Sequence, residues 1–183
     1  MKTYQYIPLV PQLIAYFLNR ELNEQMCYRS EGYPKAKAEK NGHMMDMFNG
    51  SHYLGLLQKE VTINSHGLSH TYFSDPHNVA LGLATDGVNP WQQQKSTFWP
   101  ILFYNFNLLL TEHAHGDNAI CIGEVLGPKK PKDMDFFLYP AVQELLKLLV
   151  GVKVYDVIEK ETFILRVYLL TIFGDILAIS MLL

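Results

Sequence analysis

The segment from residue 72 to residue 91, YFSDPHNVALGLATDGVNPW, constrains the fold of this chain more than any other. A turn at residues 74–76 leads into an apolar run at 79–84, which ends in Thr-Asp-Gly at 85–87. A short apolar run between turn residues predicts a buried strand. Such a strand would carry the Asp86 carboxylate to its end, in contact with water. Asp-Gly is also a common turn pair, so a purely structural role for Asp86 stays open.

The composition fits one domain with a sizeable core. The 183 residues are 49% hydrophobic and 18% charged, which is apolar for a soluble protein. The formal net charge is −3, and the chain lacks the basic footprint of a compact nucleic-acid-binding domain. Cys27 and Cys121 form no CxxC motif, which predicts two buried free thiols rather than a structural zinc site. The N-terminus lacks the apolar core of a signal peptide, because prolines interrupt it.

The C-terminal run at 163–183, FILRVYLLTIFGDILAISMLL, is long enough to cross a bilayer. Asp175 near its middle would cost about 2.5–3.5 kcal/mol on insertion scales. A strand buried on both faces also reads as a continuous apolar run. We therefore expect one long strand over 163–176, with a membrane anchor as the alternative. The abrupt apolar end of the chain favours a truncated domain.

The remaining patterns predict a mixed order of helices and strands. They are a helix at 9–28, a loop at 30–42, a weak helix at 45–60, a hairpin at 61–73, strands at 98–110, 119–126 and 152–158, and a helix that ends at Gly151. Asp133 or Asp135 can cap this last helix, and a first turn at Pro140 is the alternative for its long part. The fold class is therefore α/β (α+β). We expect an N-terminal helical extension and hairpin at 1–74 and a core at 75–183.

Asp86 and Asp175 fall at or near the ends of the first and last long strands of this core. Oxygen ligands fixed by rigid elements suit a hard divalent cation. The two carboxylates would lie side by side if these strands were neighbours in the sheet. That adjacency depends on topology, which sequence spacing does not show.

Several blocks of the chain resemble the transposases of CACTA (En/Spm-type) DNA transposons. The blocks occur in the family's order and cover nearly the whole chain, and the most specific are SDPHNVALGLATDG at 74–87 and GPKKPKDMDFFLYP at 127–140. The resemblance implies a partial RNase H-like mixed sheet with one main packed helix. It also implies DDE-type chemistry, in which three carboxylates hold two Mg²⁺ ions for attack on a DNA phosphodiester.

Carried over by position, Asp86 matches the first acid of the family and Asp175 most plausibly the second, so both are expected to be catalytic metal ligands. The third acid and a Cys-rich segment belong to sequence that these 183 residues do not contain. Leu177 and the pair at 109–110 stand where the family usually has prolines. The resemblance therefore implies a fragment of a DNA-cleaving and strand-transferring enzyme that is inactive alone. Transposon-end DNA is the expected partner, the nucleus the expected location, and self-association stays open.

A cluster of three lysines, Lys129, Lys130 and Lys132, could contact phosphates. A solvated turn before a helix is the favoured interpretation of the cluster. The alternative function is a non-catalytic DNA- or protein-binding remnant, which would bind DNA with a steep salt dependence and ignore magnesium.

Two further sets of residues are weaker candidates. His113 and His115, followed by Asp117, could be read as a metal cluster, although a solvated loop is the favoured interpretation. Glu112 and Glu124 could in principle supply the missing acid. Neither set has a spacing that indicates a specific chemistry.

Overall fold

The structure is a computed structural model of the chain, and it describes residues 4–39, 46–88, 98–113, 115–127 and 133–174. The described strands are β1 (Gln5–Tyr6), β2 (Glu60–Ile63), β3 (His66–Thr71), β4 (Val79–Thr85), β5 (Phe98–Asn105), β6 (Ala119–Leu126), β7 (Val152–Asp156), β8 (Glu161–Leu165) and β9 (Val167–Phe173). The described α-helices are α1 (Leu9–Leu18), α2 (Arg20–Met26), α3 (Tyr33–Glu39), α4 (Ser51–Leu56) and α5 (Asp135–Val150). The predicted mixed α/β class is confirmed.

A five-stranded mixed sheet, with the order β1-β6-β5-β4-β9, lies at the centre of the described part. Strands β6, β5 and β4 are antiparallel neighbours, whereas β9 runs parallel to β4. Two hairpins, β2–β3 and β7–β8, lie outside this sheet. A parallel neighbour requires a crossover connection, and α5 lies on the path between β6 and β9.

Strand β4 is buried on both faces, which explains its continuous apolar sequence. Alternate residues such as Leu81 pack in one core with Phe17 of α1 and Leu148 of α5. Ala80 faces a second core that contains Phe48 and Tyr168. The strand that ends at Asp86 is therefore among the most rigidly held elements of the described structure.

Buried Arg29 fixes the point at which the chain enters β4. Its guanidinium donates hydrogen bonds to the carbonyl oxygens of Asp75 (2.7 Å), Pro76 (3.0 Å) and Asn78 (3.1 Å). It also lies over the ring of Phe73, 5.3 Å from the centroid. These contacts hold the loop before β4 against the segment that follows α2.

Two predictions about the N-terminal region need correction. The helix at 9–28 is interrupted at Asn19, whose extended backbone and side-chain bonds to Glu21 N and Leu22 N start a new helix, α2. The loop predicted at 30–42 is wrong over its described part, which forms a π-helical turn (Tyr28–Gly32) followed by α3. The Lys, Ala and Glu residues of α3 are good helix formers, and their polarity had indicated a loop.

The single strand predicted at 163–176 is wrong over its described part, because the run divides at Arg166 into β8 and β9. Strand β8 returns from β7 by a tight turn, in which Asp156 Oδ1 accepts from Ile158 N and Glu159 N. Strand β9 then joins the central sheet. The alternative membrane anchor covers these strands, and no helix among the described residues is long and apolar enough to cross a bilayer.

The other elements follow the sequence more closely. The hairpin predicted at 61–73 is confirmed as β2 and β3, joined by Asn64 and Ser65 at positive φ. The strand predicted at 98–110 ends earlier, at Asn105, where the Asn105 side chain accepts from Asn107 N and turns the chain. Pro140 lies inside α5 rather than in its first turn. The division at residue 74 stays a prediction.

Candidate functional site

Three strand ends meet at one edge of the central sheet. Strands β4 and β6 are both antiparallel to β5, and β9 is parallel to β4, so all three end at the same edge. Asp86 follows β4 directly. In the sequence, Asp175 follows β9, and the three lysines at 129–132 follow β6. Asp175, Lys129, Lys130 and Lys132 themselves lie outside the described residues.

Asp86 is exposed, whereas its neighbour Thr85 is buried, as expected for a carboxylate at the end of a buried strand. Its Oδ1 accepts a hydrogen bond from Gly87 N at 2.6 Å. This is the one hydrogen bond that the described residues make to the Asp86 carboxylate. The group is therefore accessible to a ligand from solvent.

Strand β9, which is parallel to β4, precedes the second candidate acid, Asp175, in the sequence. Strands β4 and β9 pair in parallel as far as Ala84 and Phe173, so the two strands are neighbours in the sheet. In the sequence, Asp86 follows Ala84 by two positions, and Asp175 follows Phe173 by two positions. The roles of Asp86 and Asp175 as a metal-binding pair stay predictions.

On the other side of β4, the regular pairing with β5 ends before Asp86. Thr85 pairs with Ile101, and Val88 forms a bridge with Phe98, with hydrogen bonds of 2.8 and 3.0 Å. This register sets Asp86 opposite Pro100, which has no N–H to donate across the ladder. The regular strand consequently ends just before Asp86.

The two glutamates considered as replacement acids occupy different environments. Glu124 is exposed in β6 and pairs with Pro100, so it shares a sheet face with Asp86 two strands away, roughly 10 Å between backbones. Glu112 Oε2 accepts from Asn118 Nδ2 at 3.1 Å and belongs to a loop hydrogen-bond network. The geometry gives neither glutamate a direct contact with Asp86.

His113 is not a solvated loop residue, so that prediction is wrong. Its side chain is buried, and Nε2 lies 2.6 Å from Leu108 O and 3.0 Å from Phe106 O. The ring satisfies carbonyl groups where the chain turns after β5. In the described part of the chain, no group of three or more His, Cys, Asp or Glu side chains could hold a metal ion.

The two thiols are also more accessible than predicted. Both cysteines are free, with Cys27 exposed at the end of α2 and Cys121 half-buried in β6. Partial desolvation and nearby carboxylates, of which Glu31 has the largest effect, raise the pKa of the Cys27 thiol. A protonated thiol is a weak nucleophile, so Cys27 gives no sign of catalytic activation.

Sequence reasoning missed a polar cluster at the opposite end of β4. His77 Nδ1 lies 2.9 Å from Asp75 Oδ1, and its Nε2 lies 3.5 Å from Asp156 Oδ2. The His77 ring stacks on Phe163 at 4.1 Å, and the cluster borders a cavity of about 290 Å³. It joins the loop before β4 to the β7–β8 hairpin, and no local spacing could have predicted the contact.

Asp156 is the buried member of this cluster. Burial alone would raise its pKa, but hydrogen bonds from Glu159 N, Asn23 Nδ2 and Ile158 N, together with His77, hold it below the usual value. The carboxylate is therefore ionised and fully engaged in holding the hairpin. We assign this cluster a structural role.

Comparison with known protein families finds a match over the larger part of the chain. A family model described as transposase family tnp2 matches residues 62–183, which include β4, α5, β9 and every candidate site residue named from the resemblance. No curated protein and no solved structure matches the chain. Because the match covers more than half of the sequence, the chain belongs to the transposase family tnp2.

Proposed function

We propose that this chain is part of the catalytic region of a CACTA-type DDE transposase, in which Asp86 and Asp175 are two of the metal-binding carboxylates. The observation that carries the proposal is the parallel pairing of β4 with β9, in a register that gives both aspartates the same offset from their paired strands. Membership of a transposase family supports DNA transposition as the process. The CACTA assignment depends on the sequence blocks at 74–87 and 127–140.

The order of the elements supports an RNase H-like core. Three antiparallel neighbours, β4, β5 and β6, are followed by α5 and then by β9, which returns beside β4. This is the order that the resemblance implies for the sheet that carries the first two acids. The main helix, α5, packs on the sheet through Phe137, Ala141 and Leu148. This agrees with the one main packed helix that the resemblance implies.

The donor chemistry at Asp86 fits a hard divalent cation, because an exposed carboxylate at a rigid strand end supplies oxygen ligands. When bound, two Mg²⁺ ions would activate the attacking oxygen and stabilise the leaving oxygen. The described residues supply one carboxylate of the expected set, Asp86. The role of Asp86 would be to bind and orient the metal ions, from a strand that packs in two hydrophobic cores.

We extend the proposal to DNA contact at the same edge of the sheet. Strand β6 ends at this edge, where Leu126 pairs with Phe98, the residue that also bridges Val88 just beyond Asp86. The lysines at 129–132 follow in the sequence, and ammonium groups beside a phosphodiester site would position the DNA backbone. Transposon ends as the DNA, and the nucleus as the location, belong to the same proposal.

Binding of Mn²⁺, measured by electron paramagnetic resonance, tests the metal role. We expect Asp86→Asn to weaken binding by more than about 100-fold, beyond the 10- to 100-fold that supporting residues usually contribute. Glu21→Gln is the matched control, because Glu21 is exposed in α2. Asn107 links this helix to the other end of β4, since its side chain donates to Met26 O and accepts from Ala80 N. Equal binding by the Asp86 variant and the parent chain would contradict the proposal.

The resemblance assigns a third acid to a later helix, so we expect the 183-residue chain by itself to neither nick nor join DNA in Mg²⁺ or Mn²⁺. Nicking that is lost in Asp86→Ala would show that these residues suffice for catalysis. The alternative, a non-catalytic binding remnant, is favoured if the chain binds DNA with a steep salt dependence and binding does not respond to metal or to Asp86.

A further inference from the structure

The backbone that follows Asp86 lies directly on an aromatic ring. The register of β4 and β5 sets Gly87 opposite Trp99, whose side chain is only 9% exposed. A Cβ atom at Gly87 would lie 2.8 Å from Trp99 Cζ2 and 3.0 Å from Cη2, closer than side chains approach each other. The ring therefore supports the Gly87 peptide from below, and only glycine fits there.

This peptide also sets the direction of the Asp86 carboxylate. Gly87 N donates to Asp86 Oδ1 at 2.6 Å, and no other described residue hydrogen-bonds to the carboxylate. A displacement of the Gly87 peptide would therefore turn or release the carboxylate. Among the described residues, the second oxygen, Oδ2, accepts no hydrogen bond.

The sheet itself provides less support at this point than elsewhere along β4. Pro100 lies opposite Asp86 and cannot donate to its carbonyl, so the ladder is interrupted between the Thr85–Ile101 pair and the Val88–Phe98 bridge. At this interruption, the contact of Trp99 with Gly87 connects β5 to β4 where the hydrogen bond from Pro100 is missing. Packing against Trp99 then adds to the flanking hydrogen bonds in fixing where Asp86 lies.

Two buried polar atoms beside Asp86 lack hydrogen-bond partners in the described structure, Thr85 Oγ1 and Trp99 Nε1. Buried polar groups are normally satisfied, and exceptions call for an explanation such as a functional site. Because the indole N–H has no partner among the described residues, Trp99 contributes here through the packing of its ring and not through a hydrogen bond.

We infer that Trp99 is a positioning residue for Asp86, acting through the Gly87 peptide. The catalytic meaning of this inference rests on the proposed metal role of Asp86, whereas the positioning itself can be measured without metal. The same geometry makes Gly87 indispensable, since any side chain there displaces either the ring or the peptide.

The positioning is tested by the amide proton chemical shift of Gly87. We expect a downfield signal in the parent chain, because the N–H donates to a carboxylate, and an upfield shift in Asp86→Ala. Because Trp99→Leu also removes the ring current of the indole, the comparison is the shift that Asp86→Ala causes in each background, in which the ring current cancels. This shift should be small in Trp99→Leu and close to the parent value in Trp99→Phe, which keeps a flat ring.

Phe103→Leu is the matched control, because Phe103 is buried in the same strand and the same core but pairs with Leu83. Thermal unfolding establishes that both variants are folded and comparably destabilised. An upfield shift on Asp86→Ala that is as large in Trp99→Leu as in the parent chain, or that is reduced equally in Phe103→Leu, would overturn the inference. If Trp99→Leu does not fold, the Gly87→Ala variant must show loss of Mn²⁺ binding for the inference to stand.

Mn²⁺ affinity links the positioning to the proposed function. We expect Trp99→Leu to weaken binding by about 10- to 100-fold, as loss of a supporting residue usually does, and Phe103→Leu to leave it unchanged. Parent-like binding by Trp99→Leu would overturn the inference while the metal role stands. Absence of binding by the parent chain would contradict the metal role, and the Gly87 signal would still decide the positioning.

Discussion

A single buried cation, Arg29, organises the approach to the candidate site. Its three acceptors are backbone carbonyls on the loop before β4, and Nη1 lies 3.4 Å from Tyr53 Oη. A guanidinium suits this task because its donors are arranged in a fixed planar fork. The contact joins the N-terminal helices to the strand that carries Asp86.

We predict that Arg29→Leu lowers the free energy of unfolding by about 3 kcal/mol, because several buried carbonyls lose their donor. Arg20→Leu is the control, since Arg20 forms an exposed ion pair with Glu24 in α2 and should contribute less than about 1 kcal/mol. Urea unfolding of both variants gives the comparison. Equal effects would show that the Arg29 contacts do not hold the loop.

Asp156 should make the stability of the protein depend on pH. Its pKa is lowered in the folded protein, so its contribution to stability is present above the unfolded value of 3.8 and is lost as pH falls through the lower folded value. We predict that Asp156→Asn is less stable than the parent at pH 7 by about 1–2 kcal/mol. The difference between the two proteins should shrink as the pH falls below about 4.

Urea unfolding at pH 7 and at pH 3 measures this difference, and Asp133→Asn serves as the control, because Asp133 is exposed before α5. A difference that stays constant between the two pH values would mean that the Asp156 carboxylate is not stabilised by its hydrogen bonds and His77.

Among the elements, β4 has a strict steric requirement at its centre. Gly82, at its centre, lies under the rings of Phe106 and Phe173, and a Cβ atom there would be 2.5 and 2.6 Å from ring carbons. We predict that Gly82→Ala destabilises the protein by about 1–3 kcal/mol through overpacking. The displaced Phe173 ring belongs to β9, so the β4–β9 pair should respond first.

The matched control is Gly55→Ala in α4, where no described atom lies within 4 Å of the added Cβ. A helix gains about 0.5–1 kcal/mol from this change, so the two Gly→Ala variants should shift the melting temperature in opposite directions. Shifts of the same sign and size would contradict the packing described for β4.

Local sequence patterns correctly predicted the elements whose bounds are set by adjacent turn residues. Strand β6 has the predicted bounds, Ala119–Leu126, because its apolar run lies between turn residues. The division of the C-terminal run at Arg166 could not be predicted, since one continuous apolar sequence serves two different sheets. The helix α3 was missed because its polar residues are typical of both a loop and an exposed helix.

At the scale of the whole molecule, the topology shows which strands are neighbours, which sequence spacing does not show. The position of Asp86 at a strand end follows from residues 79–87 alone, whereas the adjacency of β4 and β9 depends on a connection through β5, β6, α5 and the β7–β8 hairpin. The Arg29 contacts, the His77 cluster and the support of Gly87 by Trp99 join residues that are distant in sequence. No single-sequence pattern encodes such contacts.

The central claim is that Asp86 and Asp175 share one metal site at the common edge of β4 and β9. A double-mutant cycle of Mn²⁺ affinity tests it with Asp86→Asn, Asp175→Asn and the combined variant. A shared site predicts that each single change removes most of the binding and that the second change adds little. Losses that simply add, or an Asp175→Asn variant that binds Mn²⁺ as the parent does, would contradict the claim.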